Sequence, residues 1–267
     1  MGWEWRQGSF LEYLTIPEWE AHRIQIGFSS RKDGVSAIPY KSLNLGLHVK
    51  DNPENVLENR DRWLSELGAS ACDFALGEQV HGAGIAWVGQ ESGGCGVGCL
   101  ETVIPNVDGL LTQSPIGLMA MFADCVPIYF YHPVIRAVGI AHAGWKGTLG
   151  KICIGVLQQF IRAGGKIEDC LVALGPSIGA CCYKIGQGVA EKFQSDFAQT
   201  GVLNPLGAEH FSLNLREANR SLLLNSGIKP DQIWMASNCT ACDNENFFSH
   251  RRDGVLTGRM GGWIRLL

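Results

Sequence analysis

The sequence has little charge for its length and no basic excess. Lys, Arg, Asp and Glu together make up 18% of the 267 residues, and the formal net charge is −4. Proteins that bind nucleic acid normally show a basic excess or a basic stripe, and neither is visible. The composition therefore argues against nucleic acid as a partner.

Long hydrophobic runs are also absent. The longest nearly apolar stretch, residues 116–131, is interrupted by Asp124 and Pro127 and falls short of the ~18 residues expected of a membrane-spanning helix. The first residues lack the charged and apolar regions of a secretory signal. We therefore expect a cytoplasmic protein without a membrane partner, and no protein partner is evident.

The ten cysteines do not resemble the disulfide framework of a small secreted domain. In a long chain without a signal, reduced thiols are the better interpretation. Cys239 and Cys242 form a CxxC pair with no second CxxC nearby, so we interpret them as ordinary thiols. The same interpretation applies to Cys95 and Cys99, in the glycine-rich segment 91–99 that we expect to be a flexible loop, and to the adjacent Cys181 and Cys182.

Short apolar runs bounded by Gly, Pro or Asp predict buried strands. They lie at Ile24–Phe28, Leu118–Ala123, Val126–Tyr131, Ala137–Ala141, Leu171–Leu174 and Ile233–Met235. Helices are predicted from Pro53 to Gly68, from Thr148 to Gly164, around residues 189–197 and at residues 215–227. The mixture, with no long linker, predicts a single compact α/β domain, a mixed α+β sandwich, over residues 1–267.

Three polar segments interrupt this pattern and carry His81, Cys125 and His142. Strand ends are where the sheets of α/β proteins usually bind ligands, and Cys125 and His142 are predicted at such ends. Two imidazoles and one thiolate, with a fourth position open, suit a catalytic zinc ion. Two alternatives stay open from these residues alone: a nucleophilic Cys125 with His142 as its base, or ordinary strand-end residues.

A run of motifs gives these segments a wider context. They are Ser42–Gly46, Glu58–Arg60, Gln79–Gly82, Asn106–Gly109, Ala123–Pro127, His142–Gly147, Leu174–Gly179, Ser249–Gly254 and Thr257–Arg259. With these motifs the chain resembles the polyphenol oxidase, or laccase-domain, family over nearly its whole length. The resemblance implies the fold of the cytotoxic necrotizing factor catalytic domain. It also implies zinc at the residues matching His81, Cys125 and His142.

The activity implied by the resemblance is that of a purine nucleoside phosphorylase acting on adenosine, inosine, guanosine and methylthioadenosine, with adenosine deaminase activity as a second reaction. An older label for the family is copper-dependent polyphenol oxidase. Seven histidines without a His-x-His pair are too few for the copper clusters of true laccases, so copper is the less favoured metal. A Cys–His hydrolase and a zinc-stabilised nucleoside-binding protein, its site closed by Cys182 or His250, are further alternatives.

Roles follow from what the two nucleoside reactions need. Cys125 and His142 are candidate catalytic residues, and Asp108 is the candidate proton shuttle, because the zinc deaminase signature with its non-ligand Glu is missing. The candidate substrate-binding residues for nucleoside and phosphate are Asn44, Arg60, Gln79, Lys146, His250 and Arg251. Lys146 stands where Arg is common in the family. The other histidines, His22, His48, His132 and His210, are expected on the surface or in loops.

Overall fold

Three β-sheets organise the part of the chain that the structure describes, residues 2–197, 201–207 and 209–267 of a computed structural model. The strands are, in chain order, β1 (Glu4–Gln7), β2 (Glu12–Thr15), β3 (Ile24–Ser29), β4 (Phe74–Leu76), β5 (Ile85–Trp87), β6 (Gly109–Thr112), β7 (Gly117–Phe122), β8 (Val126–His132), β9 (Ala137–Ala143), β10 (Leu171–Leu174), β11 (Lys184–Gly186), β12 (Leu203–Pro205), β13 (His210–Leu213), β14 (Ile233–Met235) and β15 (Met260–Leu266). Two sheets have six strands each, in the orders β1-β2-β3-β15-β7-β4 and β14-β10-β8-β9-β6-β5. The third is small, in the order β11-β13-β12.

The helices are α1 (Pro53–Glu66), α2 (Trp145–Leu149), α3 (Ile152–Arg162), α4 (Gln187–Phe197), α5 (Leu215–Asn225) and α6 (His250–Asp253). Helices α1, α3 and α5 pack on the outer faces of the two large sheets, and α4 packs on the small sheet. Helix α1 begins where the sequence predicts, since the Asn52 side chain accepts a hydrogen bond from the Glu54 amide and Pro53 occupies the first turn. Short 3₁₀ segments lie at Pro17–His22, Ala71–Asp73, Gln90–Ser92, Leu100–Thr102, Ile167–Asp169 and Pro230–Gln232.

Alternating residues of the central strands build a layered core. In β7, Leu118 and Phe122 pack between the two large sheets, whereas Met119 packs on the other side in the cluster that includes Trp63 of α1. Strand β9 alternates in the same way, with Ile140 in the layer between the sheets. Because strand side chains alternate between faces, the domain is a sandwich of helix, sheet, sheet and helix layers.

The structure confirms the mixed α/β class and every predicted strand, with end points shifted by up to two residues. The helix predicted from Thr148 is wrong in detail, because the chain breaks at Lys151, whose φ is +55°, and separates α2 from α3. The glycine-rich segment is not simply a loose surface loop: Val97 is buried. The prediction that His132 lies on the surface is wrong. The residue is fully buried, and its ring Nε2 lies within hydrogen-bonding distance of the Lys166 backbone.

Within the described residues, no helix is both long and apolar enough to cross a membrane.

Candidate metal centre

A cavity opens where β4 and β9 end and β8 begins. Its volume is about 620 Å³, within the range of roughly 300–1,000 Å³ that is usual for small-ligand sites. His81, Cys125 and His142 all contribute to its wall. The fold therefore brings the three predicted metal ligands to one cavity.

Each of the three side chains arrives from a different part of the fold. Cys125 lies in the short turn that carries the chain from β7, in the first large sheet, to β8, in the second. His142 is the penultimate residue of β9 and stands opposite Pro127 of β8. His81 lies on the loop between β4 and β5. The ligand atoms of the three residues all fall within 4.8 Å of one another.

Asp108 forms hydrogen bonds with two of the three ligand residues. Its Oδ1 lies 2.8 Å from Nδ1 of His142, and its carboxylate accepts hydrogen bonds from the backbone N–H groups of Val80, His81 and Gly82 at 3.2, 3.0 and 2.7 Å. The side chain is fully buried. One carboxylate thus fixes the imidazole of His142 and the loop that carries His81.

Two residues at the site hold unusual backbone conformations. The φ of His81 is +59° and that of Asp124 is +91°, a region that costs energy for residues other than glycine. Asp124 is held there by contacts from two later segments: its carboxylate accepts from Thr240 Oγ1 at 2.7 Å and from the Arg251 amide at 2.6 Å. The surrounding structure therefore enforces the turn that presents Cys125.

The ionisation of the site follows from its burial and its charges. Burial alone would raise the pKa of Cys125, but the charge and hydrogen bond of His142 outweigh it and lower the pKa to about 6. Burial would lower the pKa of His142, but Cys125 and Asp108 raise it to about 9. Burial would raise the pKa of Asp108, yet its hydrogen bonds to His142 and the backbone keep that pKa below its usual range. At neutral pH a thiolate faces an imidazolium, and Asp108 is ionised.

The donor set fits a zinc ion. With Nδ1 of His142 engaged by Asp108, Nε2 is the nitrogen left for a metal, the carboxylate–histidine arrangement common at zinc sites. The space between ligands is kept by Gly144, where a Cβ would lie 3.0 Å from Cys125 Sγ and 3.4 Å from His81 Cδ2. Three ligands facing a cavity leave a fourth position for a small molecule.

Four of the six predicted substrate-binding residues line the cavity: Arg60, Gln79, His250 and Arg251. The Gln79 amide is fixed to the backbone of Met121, donating to its carbonyl at 2.8 Å and accepting from its N–H at 2.7 Å. The Arg251 guanidinium lies 4.7 Å from the ring centre of Tyr183 and donates to the Lys184 carbonyl.

The other predicted substrate-binding residues are placed differently. Asn44 is fully buried outside the cavity wall, and its side chain bonds Asp51 and the amides of Gly46 and Arg259. Lys146 is exposed and does not line the cavity; its ammonium lies 5.7 Å from the ring centre of Trp145.

Arg60 reaches the cavity wall but is almost fully buried. Its guanidinium donates to the carbonyls of Leu45, Gly96 and Val97 at 2.8, 2.8 and 2.6 Å. These hydrogen bonds hold the glycine-rich segment 91–99 in place and favour a structural role for Arg60.

Sequence reasoning missed several wall residues, among them His48, Tyr183 and Arg259. Arg259 closes the last of the quoted motifs, which was the available signal. His48 was expected on the surface or in a loop, and it does lie exposed in a turn, but it also forms part of the cavity wall. Partial desolvation there and the nearby charge of Arg259 lower its pKa to about 4. Its imidazole is therefore neutral at pH 7.

Comparisons with known proteins agree with the motifs. Residues 25–267 match a family model described as multi-copper polyphenol oxidoreductase laccase. The chain is 39% identical over 242 residues to purine nucleoside phosphorylase YlmD of Geobacillus stearothermophilus, covering 89% of this chain and 88% of that protein. It is 32% identical over 232 residues to adenosine deaminase RL5 of an unknown prokaryotic organism, covering 85% and 87%.

A solved structure shows the same fold. The crystal structure of the Bacillus licheniformis hypothetical protein YfiH superposes with a TM-score of 0.94 at 37% identity, over 98% of this chain and 99% of that one.

Proposed function

The chain belongs to the family described as multi-copper polyphenol oxidoreductase laccase, and from that premise we propose that it is a zinc-dependent purine nucleoside phosphorylase with a second activity as an adenosine deaminase. The proposed substrates are adenosine, inosine, guanosine and methylthioadenosine, together with phosphate. The observation that carries the proposal is the convergence of His81, Cys125 and His142 at one cavity.

The cavity wall contains both cationic and apolar residues. Arg251 and Arg259 supply guanidinium groups suited to phosphate. Arg259 uses Nη1 for the carbonyls of Thr257 and Gly258, and its other nitrogens are the candidates for an anion. The apolar wall residues are Leu76, Leu100, Val103 and Met121, and apolar side chains suit the flat faces of a purine.

Phosphorolysis joins a phosphate oxygen to C1′ of the ribose and breaks the bond from C1′ to the base nitrogen, which keeps the electron pair and takes up a proton. The guanidinium groups would hold the phosphate, and neighbouring donors would stabilise the departing base. Deamination replaces the amino group at C6 with a hydroxyl from water and releases ammonia. When bound, zinc supplies a Lewis acid and lowers the pKa of a coordinated water.

We assign Asp108 to positioning rather than to proton transfer. Its side chain is fully buried, ionised and already bonded to His142 and the His81 loop. It therefore has neither access to a substrate nor a proton to give. His48, Glu78, His250 and Tyr183 are titratable wall residues that remain candidates for proton transfer.

Copper and thiol chemistry are the alternatives to be tested against zinc. Within residues 2–197, 201–207 and 209–267, His81, Cys125 and His142 form the one histidine-containing group of three or more potential ligands. A multicopper centre needs several histidine-rich sites. The low pKa of Cys125 beside His142 also suits a nucleophile. The metal content of variants separates these possibilities.

Two further expectations belong to this proposal. The likeness to the cytotoxic necrotizing factor catalytic domain, over a single domain of residues 1–267, stays a prediction. None of the ten cysteines forms a disulfide, which suits a reducing compartment and the expected cytoplasmic location.

The test is product analysis with adenosine, with and without phosphate. We expect adenine and ribose 1-phosphate only when phosphate is present, and inosine in either case. Cys125→Ala should abolish both reactions and hold about one metal ion per chain less than the wild type. Cys72→Ala, which alters an exposed thiol, should keep both reactions and all of the metal.

Two results would overturn the proposal. The first is full metal retention in Cys125→Ala with loss of activity, which would identify a nucleophilic thiol. The second is absence of any nucleoside product from the wild type, with oxidation of a phenol in the presence of copper.

A further inference from the structure

Four other cysteines meet at the surface, in two segments that follow neighbouring strands. Cys181 and Cys182 come after β10, and Cys239 and Cys242 come after β14. These strands pair in parallel, and an isolated bridge between Ser177 and Cys239 extends the pairing beyond their ends. The fold therefore delivers both cysteine pairs to the same place, since parallel strands end at the same edge of a sheet.

The spacing of the four sulfurs matches a metal site. All four lie within 4.8 Å of one another. Sγ of Cys242 is 3.3 Å from that of Cys182 and 3.6 Å from that of Cys181. Zinc–sulfur bonds of about 2.3 Å in a tetrahedron imply sulfur–sulfur distances of roughly 3.8 Å, whereas a disulfide brings two sulfurs to about 2.05 Å.

We propose that Cys181, Cys182, Cys239 and Cys242 bind a structural zinc ion in a closed four-thiolate site, separate from the candidate metal centre. Four protein ligands leave no position for substrate, which is the pattern of structural zinc. The ordinary-thiol interpretation of these residues overlooked this arrangement, because the partner of the CxxC pair is an adjacent Cys-Cys rather than a second CxxC.

The backbone around the cluster is arranged for thiolate sulfur. The Gly179 N–H donates to Cys239 Sγ at 3.1 Å, and the N–H groups of Ala241 and Cys242 also donate to it. Gly179 leaves room for the cluster, since a Cβ there would lie 3.0 Å from Cys181 Sγ and 3.4 Å from Cys239 Sγ. Hydrogen bonds of this kind orient and stabilise metal-bound ligands.

A cation stands beside the cluster. Arg216 of α5 donates to the carbonyls of Ala236 and Asn238 at 2.6 and 2.7 Å, which ties down the segment leading to Cys239. Its guanidinium lies within electrostatic reach of Cys181 and Cys239. Zinc with four thiolates carries a net charge of −2, and Arg216 would offset part of it.

The site would stabilise one wall of the substrate cavity. Thr240, between the two cysteines of the CxxC pair, donates to the Asp124 carboxylate in the turn that presents Cys125. Tyr183, next to Cys182, lines the cavity and packs against Arg251. Zinc in the four-cysteine site would therefore hold these contacts in place without touching the substrate.

The test is the zinc content of purified protein by elemental mass spectrometry, comparing the wild type with the double variant Cys239→Ser/Cys242→Ser. We expect the double variant to hold about one zinc per chain less than the wild type, and to melt at a lower temperature. Cys72→Ser is the matched control, since it removes an exposed thiol outside the cluster, and should retain all of the zinc. The difference between variants does not depend on whether the three-residue centre binds metal.

Equal zinc contents in the wild type and the double variant would overturn the proposal. So would a disulfide among the four cysteines, detected by intact mass without reductant in freshly purified protein. If the double variant does not fold, Co²⁺ titration of metal-free Cys125→Ala decides the matter. Intense thiolate-to-cobalt bands there support the four-cysteine site, and their absence contradicts it.

Discussion

Asp108 is the residue on which the geometry of the candidate metal centre depends most. Its carboxylate contacts the His142 ring and three successive backbone N–H groups, including that of His81. An ionised, buried acceptor of this kind fixes the orientation and tautomer of a metal-binding imidazole. The effect of Asp108 on metal affinity can therefore be measured separately from catalytic activity.

Replacing Asp108 with Asn should weaken zinc binding at the three-residue centre by roughly 10–100-fold. The amide keeps the size of the side chain but loses the charge and one acceptor atom, so His142 and the His81 loop lose their common anchor. Competition with a chromophoric chelator measures the affinity. Asp231→Asn, on an exposed residue, is the control, and an unchanged affinity in Asp108→Asn would contradict the positioning role.

The pH dependence of Cys125 alkylation is a second prediction at this scale. Because His142 lowers the Cys125 pKa to about 6, metal-free protein should react with iodoacetamide at neutral pH, and the rate should fall as pH drops through about 6. In His142→Ala the imidazolium is gone and burial remains, so the midpoint should move upward. Peptide mass spectrometry across a pH series gives both midpoints. Identical midpoints would show that His142 does not lower the pKa of Cys125.

Cys125 and His142 could be singled out from the sequence because they stand at the ends of apolar strands, where a titratable side chain is conspicuous. His81 lies on a loop, and the family resemblance was what joined it to them. Other wall residues could not be predicted in the same way. His48 and Tyr183 lie in loops with no periodic pattern, and they reach the cavity only through tertiary packing. The contacts of Asn44 and Arg60 were equally invisible, since a polar side chain that ties loops together has no local sequence signature.

At the scale of elements, the start of helix α2 determines whether Cys125 and His81 can approach each other closely. Gly144 directly precedes α2 and faces the ligands, with no side chain to intrude between Cys125 and His81. The close approach, rather than the backbone angle, requires glycine here, because its φ is −73°.

Gly144→Ala should impair metal binding while leaving the domain folded. The added methyl group would lie 3.0 Å from Cys125 Sγ, so the thiolate must shift by a few tenths of an ångström. We expect at least a tenfold loss of zinc affinity, roughly 1.4 kcal/mol, by chelator competition. Gly188→Ala in α4, where a Cβ meets nothing within 4 Å, is the control. Wild-type affinity in Gly144→Ala would refute this role of the glycine.

Strand β15 shows why some elements escaped prediction. It is a central strand of the first large sheet, between β3 and β7, but Gly261 and Gly262 divide its apolar residues. Both glycines are explained by packing: a Cβ on Gly262 would lie 2.5 Å from the Tyr129 hydroxyl, and one on Gly261 would lie 2.8 Å from Leu45. Such close contacts across layers are set by tertiary structure, which hydrophobic periodicity does not report.

At the scale of the whole molecule, the layers are held together by large aromatic side chains. Trp263 of β15 is fully buried, and its ring centre lies 4.5 Å from that of Trp63 in an edge-on arrangement. The pair joins α1 to the first large sheet, which carries the turn leading to Cys125. Stability and site geometry are therefore linked through the same layer.

Trp263→Ala should lower the free energy of unfolding by about 3–5 kcal/mol, because a large buried ring leaves a cavity. Chemical denaturation followed by circular dichroism measures the loss. Trp87→Ala, in which the parent side chain is about one third exposed, should cost less than half as much. Similar losses in the two variants would contradict the layered core described above.

The most direct test of the central claim is metal removal and restoration in the wild type. The protein is stripped with a chelator, then supplied with Zn²⁺ or Cu²⁺, and phosphate-dependent release of adenine from adenosine is measured beside oxygen uptake with a phenol. We predict that stripping abolishes adenine release, that zinc restores it and that neither metal supports oxygen uptake. Adenine release that survives complete removal of the metal, or restoration by copper with phenol oxidation, would contradict a zinc-dependent nucleoside enzyme.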